Sequence, residues 1–343
     1  MDDWYQWLDA LDGAVVIDGG LGCLLEERGN KLHDSRLWGG KLLVTDPTQL
    51  RQVAKQWLQA GADIITTATY QASTKQIQTE FGYSSEEAER IMVLSGDLLD
   101  DERKTFWDSL TSQQKQARRY PAIAVSCGPY IAILPEGNEY TGLYPTTSPN
   151  EIQSFHTERL QTLRRLFEKD FASQRNILCF ETIGNGTEAS LIVQTMGTLA
   201  FCHIPYWISF QCRDAEHIAN GDPLSLVVKT ILHQCEKANL VAIGINCVDV
   251  TNAMPLLNII KTVVADHMDS LGDNGWRIDT VCYPNHHAFS STEMCWKDEK
   301  RLDSSQWAQL VSATQSKLVG GCCTVGPDFI HALHHERMNA RNP

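Results

Sequence analysis

The 343-residue chain has no apolar run approaching the ~20 residues that a membrane-crossing helix needs. It has no basic stripe either: 29 Lys and Arg stand against 42 Asp and Glu, for a net charge of −13. That balance argues against a nucleic-acid partner. It suits a cationic small molecule, although most of the charge reads as solvated helix surface. The eleven cysteines are an odd count and lack the regular spacing of a secreted disulfide scaffold. The start, Met1-Asp2-Asp3-Trp4, has neither a basic stretch nor an apolar one behind it. The expected setting is the cytoplasm, where thiols stay reduced. Low-complexity tracts and sequence repeats are missing too. What remains is a globular chain long enough to build its core without disulfides.

What is present is a recurring β-rich run. Residues 14–20, 63–70, 122–128, 177–183, 206–212, 240–247, 280–285 and 318–323 are almost continuously apolar. Strands of a parallel sheet covered on both faces read this way. Helical stretches separate them. The clearest opens at Asp46-Pro47 and sets Leu50, Val53, Ala54, Trp57 and Leu58 on one face. Others are predicted near 86–100, 150–169, 187–199, 223–237, 252–266, 304–316 and 328–341. Eight strand-then-helix units predict one closed (β/α)8 barrel domain over 1–343, with insertions near 101–119 and 266–277. A doubly wound open sheet is the alternative, but Gly19-Gly20-Leu21-Gly22 is a poor phosphate-binding loop.

Barrel active sites lie at the carboxyl ends of the strands. There the first strand delivers Asp18, the second Thr69 and Tyr70, and the fourth Glu181. The sixth delivers Asn246 and Cys247, and the eighth Cys322 and Cys323. Three thiolates converging on one point suit Zn²⁺ with a fourth position open to substrate. For the adjacent pair, a vicinal disulfide or two ordinary buried cysteines are the alternatives. Asp18 and Glu181 suit an ammonium group through charge-assisted bonds, or else a capped turn or a structural ion pair. Cys23, Cys127, Cys179, Cys202, Cys212, Cys235, Cys282 and Cys295 read as inert packing or surface residues. A rival metal set, Cys282, His286, His287 and Cys295, has a spacing that fits no familiar zinc pattern.

Nine short segments carry a further signal: Asp18-Gly19-Gly20, Leu37-Trp38, Tyr70-Gln71-Ala72-Ser73, Gly128-Pro129-Tyr130, Glu139-Tyr140-Thr141-Gly142, Phe180-Glu181-Thr182-Ile183, Gly244-Ile245-Asn246-Cys247, Tyr283-Pro284-Asn285 and Gly320-Gly321-Cys322-Cys323. In this order, over nearly the whole chain, they resemble the homocysteine S-methyltransferase family. The resemblance implies one Zn²⁺ held by Cys247, Cys322 and Cys323, which are then the catalytic residues as well. It implies that Asp18 and Glu181 hold the amino group of homocysteine. The reaction implied is methyl transfer from a sulfonium donor, S-methylmethionine or S-adenosylmethionine, to the homocysteine thiol. Tyr70 and Trp38 are expected to line the donor pocket, since aromatic faces attract cations, and Asn246 to contact substrate. Other readings are a betaine- or selenocysteine-using enzyme on the same barrel, or a catalytically weak zinc–thiolate binding protein.

Two departures stand out. The family usually continues Tyr-Pro-Asn with Ser-Gly-Glu, where this chain has His286-His287-Ala288, and Thr324 replaces the usual arginine after the cysteine pair. His286 and His287 are expected to begin a loop over the rim. The missing acidic residue is expected to weaken binding of a cationic substrate, more so when a histidine protonates near ~6.5.

Overall fold

The structure, a computed structural model, describes residues 2–134, 138–144, 146–168, 176–198, 200–235, 239–272, 276–287, 289–290, 295–296 and 302–341. Seven strands come first: β1 (Val15–Val16), β2 (Ile64–Thr66), β3 (Ala122–Cys127), β4 (Ile177–Ile183), β5 (Tyr206–Phe210), β6 (Leu240–Asp249) and β7 (Asp279–Asn285). A short antiparallel hairpin, β8 (Phe289–Ser290) and β9 (Cys295–Trp296), precedes β10 (Leu318–Val319). The other eight strands form one parallel sheet in the order β1-β10-β7-β6-β5-β4-β3-β2. A parallel bridge from Ile17 to Ile64 joins β1 back to β2 and closes the barrel. The expected (β/α)8 architecture is what the chain adopts. Among the described residues no helix is long and apolar enough to cross a membrane.

Strand side chains alternate between two cores, as the period of two requires. Val15, Ile17, Ile64, Ala122, Ala124, Ile177, Cys179, Trp207, Val281 and Leu318 point into the barrel. Val16, Ile65, Ile123, Val125, Leu178, Phe180, Ile208, Cys282 and Val319 point outward, into the larger core shared with the helices. The helix Asp2–Asp9 joins the inner core through Trp4, Trp7 and Leu8, which close the end opposite the strand carboxyl termini.

Local signals set the helix ends. Asp46 accepts from the Thr48 amide, Pro47 opens the helix Pro47–Ala60, and the predicted face from Leu50 to Leu58 is buried. Ser84 with Glu87 and Ser148 with Glu151 form reciprocal caps on the helices Ser85–Ser109 and Pro149–Leu163. The stretch 101–119 begins as the last turns of the 25-residue helix Ser85–Ser109. It then serves the barrel. Arg103 is fully buried on Asp100, the Pro121 carbonyl and Asn176, and Arg119 donates to the carbonyls of Trp7 and Leu8. Residues 266–271 likewise complete the helix Ala253–Leu271.

Candidate metal and substrate site

Three strand ends build the centre of the rim. β6 loses its regular register between Asn246 and Asp249, and Cys247 sits inside that irregularity at φ 54. β4 does the same between Phe180 and Ile183, with Thr182 at φ 62. Left-handed backbone at residues other than glycine costs about 1–3 kcal/mol, and such positions gather at functional sites. After β10, the Gly320 amide donates to the Cys282 carbonyl, Gly321 to Asp18 and Cys322 to Pro284. These bonds stitch the cysteine pair between the ends of β1 and β7.

The thiols converge. Cys247 Sγ lies 3.8 Å from Cys323 Sγ, Cys322 Sγ lies 4.0 Å from Cys323 Sγ, and all three fall within 4.8 Å of one another. Sulfurs around one tetrahedral Zn²⁺, at ~2.3 Å each, stand ~3.8 Å apart, whereas a disulfide needs ~2.05 Å. The spacing fits a shared metal ion and rules out a bond between the adjacent pair in this structure. Cys247 is pushed well below the usual thiol range because Cys322 and Cys323 donate to it. Cys322 is raised in turn by its bond to Cys247, and Cys323 by its bonds to Cys23, Cys247 and Cys322. Tyr140 Oη lies 3.1 Å from Cys247 Sγ. Burial and the thiolate keep this phenol protonated, so it acts as the donor.

Beside the thiols are two desolvated carboxylates. Asp18 accepts from the Thr66 amide at 2.7 Å and from Thr66 Oγ1 at 2.8 Å. Glu181 accepts from Ser126 Oγ. Burial raises both to about 7, against the pull of these hydrogen bonds. Among the described residues around the cavity, neither has a basic partner. That cavity measures about 450 Å³ and brings together Asp18, Trp38, Tyr70, Glu181, Cys247, Cys322 and Cys323. Trp38 holds its place because Gly22 leaves room for the indole: a Cβ there would lie 1.9 Å from the ring.

Asn246 departs from expectation. It is fully buried and does not line the cavity. Its Oδ1 accepts from the Thr182 amide at 2.7 Å and from Ser209 Oγ at 2.9 Å, while Nδ2 donates to Thr182 Oγ1 and reaches Cys322 Sγ at 3.8 Å. It bridges the irregular ends of β4 and β6. His286 also points elsewhere. His286 Nε2 donates to the Leu302 carbonyl and its ring packs on Phe329. The His286 and His287 amides donate to the Cys323 carbonyl and Thr324 Oγ1, so this turn backs the cysteine loop from outside the cavity. Cys282 is buried in the helical core and, among the described residues, forms no metal-ligating group with His286 or His287, while the side chain of Cys295 and all of Ala288 lie outside the described residues.

Three rim residues carry more than the sequence reading assigned to them. Cys23 lines the cavity, interacts with Cys323 and accepts from the Thr324 amide at 3.3 Å. Packing is therefore not its whole setting. Glu139 and Tyr140, read only as parts of a family segment, enter the cavity from the loop that follows β3. Their place in that segment was the one available signal.

Thiols and desolvated carboxylates on the carboxyl rim of this fold mark the chain as a (β/α)8-barrel enzyme. The profile of the family described as homocysteine S-methyltransferase matches residues 15–337. Homocysteine S-methyltransferase 2 of Zea mays is 30% identical, covering 98% of this chain and 94% of its own. Selenocysteine Se-methyltransferase of Brassica oleracea var. italica is also 30% identical, with 98% and 92% covered. The metallated form of the homocysteine methyltransferase MmuM from Escherichia coli superposes with a TM-score of 0.74 at 27% identity, covering 96% of this chain and 98% of that one. The chain belongs to the homocysteine S-methyltransferase family.

Proposed function

We propose that this enzyme transfers a methyl group from S-methylmethionine or S-adenosylmethionine to homocysteine, forming methionine, with one Zn²⁺ held by Cys247, Cys322 and Cys323. The observation that carries the reading is the convergence of three sulfurs on a cavity lined, among the described residues, by carboxylates and by no lysine or arginine. When bound, the ion keeps a coordinated thiol deprotonated near neutral pH. Asp18 and Glu181 take the α-ammonium of homocysteine and aim its sulfur toward the cysteine cluster. The homocysteine sulfur forms the new S–C bond, and the donor's S–CH₃ bond breaks with its electron pair left on the donor sulfur. The thiol proton leaves to solvent. Trp38 and Tyr70 offer aromatic faces to the sulfonium. No side chain has to move a proton during the transfer, so the residues contribute alignment above all.

The cytoplasm is the compartment proposed. All ten cysteines among the described residues are free thiols, which supports a reducing setting. Selenocysteine is a second acceptor to test, because the Brassica enzyme named for it is as similar as the maize one.

The test is methionine formation by the zinc-loaded protein from homocysteine with S-methylmethionine, S-adenosylmethionine or betaine, in parallel with metal analysis. Wild type is expected to bind one zinc and to use a sulfonium donor. Cys247→Ala, Cys322→Ala and Cys323→Ala are each expected to lose most of the metal and essentially all transfer while remaining folded. A single variant that kept full zinc and full turnover would overturn the ligand set.

A further inference from the structure

Two carboxylates of the cavity have no task in the reaction proposed above: Glu26, which faces His33 Nε2 at 2.9 Å, and Glu139. Glu139 lies in the 138–144 segment, which is locked in place. The Tyr140 amide donates to Asn138 Oδ1, and Asn185 Nδ2 donates to the Gly142 carbonyl. Gly142 itself sits at φ 59, where a Cβ would lie 2.1 Å from the Gly184 carbonyl oxygen. A backbone held this tightly fixes where the Glu139 side chain starts. Glu139 lines the same cavity as Tyr70 and Cys247, and desolvation of its carboxyl raises it to about 7.

Among the described residues no lysine or arginine lines the cavity beside it. Among the residues around the cavity the charged groups are Asp18, Glu26, Glu139 and Glu181, and the only potential cation is His33. A partly buried carboxylate without a cation is unfavourable, and a positive ligand offsets that desolvation. Asp18 and Glu181 suffice for the single ammonium of the acceptor. The charge left to match is the donor's.

We infer that Glu139 is the carboxylate that recognises the positive charge of the methyl donor, and so selects cationic donors. The inference rests on the sulfonium-donor reading. The charge has two sources in S-methylmethionine, the sulfonium and the α-ammonium, and both present the same chemistry to a carboxylate. The sulfonium loses its charge as the methyl leaves, so a partner to it stabilises bound donor more than the transition state. Glu139 therefore acts on donor KM more than on kcat.

The experiment compares zinc-loaded wild type, Glu139→Gln and Glu139→Asp for KM of S-methylmethionine, KM of homocysteine, kcat, and competitive inhibition by trimethylsulfonium. Glu139→Gln is expected to raise the donor KM about ten- to a hundredfold, with homocysteine KM and zinc content unchanged. Its kcat is expected to stay within a few-fold of wild type, and Glu139→Asp, which keeps the charge, to recover part of the donor affinity. Parallel weakening of trimethylsulfonium inhibition assigns the contact to the sulfonium; loss for S-methylmethionine alone assigns it to the ammonium. An unchanged donor KM in Glu139→Gln, or an equal rise for both substrates, overturns the inference. If wild type transfers methyl from no sulfonium at all, the reaction reading fails instead, and the two failures cannot be confused.

Discussion

Asp18 and Glu181 are held in a place that favours their neutral form until a cation arrives. Both are raised to about 7 by burial, above the ~4 of an unfolded carboxylate. Between those values the folded state binds protons that the unfolded chain has lost. Their contribution to stability is therefore full below ~4 and disappears as pH rises through about 7. In the metal-free, substrate-free protein, Glu181→Gln should flatten the pH dependence of Tm between pH 5 and 8 and raise Tm at pH 8. Parallel curves for variant and wild type would show that burial imposes no such load. Substrate binding runs the other way. An ammonium needs charged partners, so homocysteine affinity should rise with pH through about 7. Asp18→Asn or Glu181→Gln should weaken it about ten- to a hundredfold by direct binding measurement while leaving zinc content intact.

At the scale of elements, the ends of β4 and β6 carry the site because they stop being regular strands. Asn246 bridges the two irregular strand ends: two of its four contacts go to Thr182, one to Ser209 and one to Cys322, and Cys247, in left-handed backbone like Thr182, follows it directly in the chain. Asn246→Ala leaves buried groups unpaired and should cost about 1–3 kcal/mol in chemical denaturation. The same variant should release zinc more readily to a chelator, because Cys247 loses its fixed backbone. This is also where reading the sequence reached its limit. The eight strands were legible because strands buried on both faces are written as apolar runs, and the thiols because each stands at such a run's end. The direction of Asn246 was not legible: a shift of register turns a side chain from cavity to support, and nothing in Asn246-Cys247 announces the shift. Cys23 and Glu139 lie on a helix start and a loop, where no period points inward. Nor does the place of His286 after β7 announce that its ring turns onto Leu302 and Phe329.

The whole barrel is stoppered at the end opposite the site. Trp4 and Trp7 stack with ring centroids 5.1 Å apart, and Trp7 is 2% exposed beneath the inner core. Trp7→Ala should destabilise the protein by about 3–5 kcal/mol in equilibrium unfolding, with metal content of the folded fraction unchanged. If folded Trp7→Ala protein also lost its metal, the two ends of the barrel would be coupled more tightly than their separation suggests. The strand order has a consequence for biosynthesis. Cys247 precedes Cys322 by 75 residues, and the loop bearing Cys322 follows β10, which pairs with both β1 and β7. At about 5–20 residues per second, a ribosome leaves Cys247 waiting about 4–15 s for its two partners. A nascent chain has no three-sulfur chelate to offer during that interval. On the proposed ligand set, acquiring the ion would be a late step in the life of the polypeptide, and a filled centre a certificate that the circle of strands has closed.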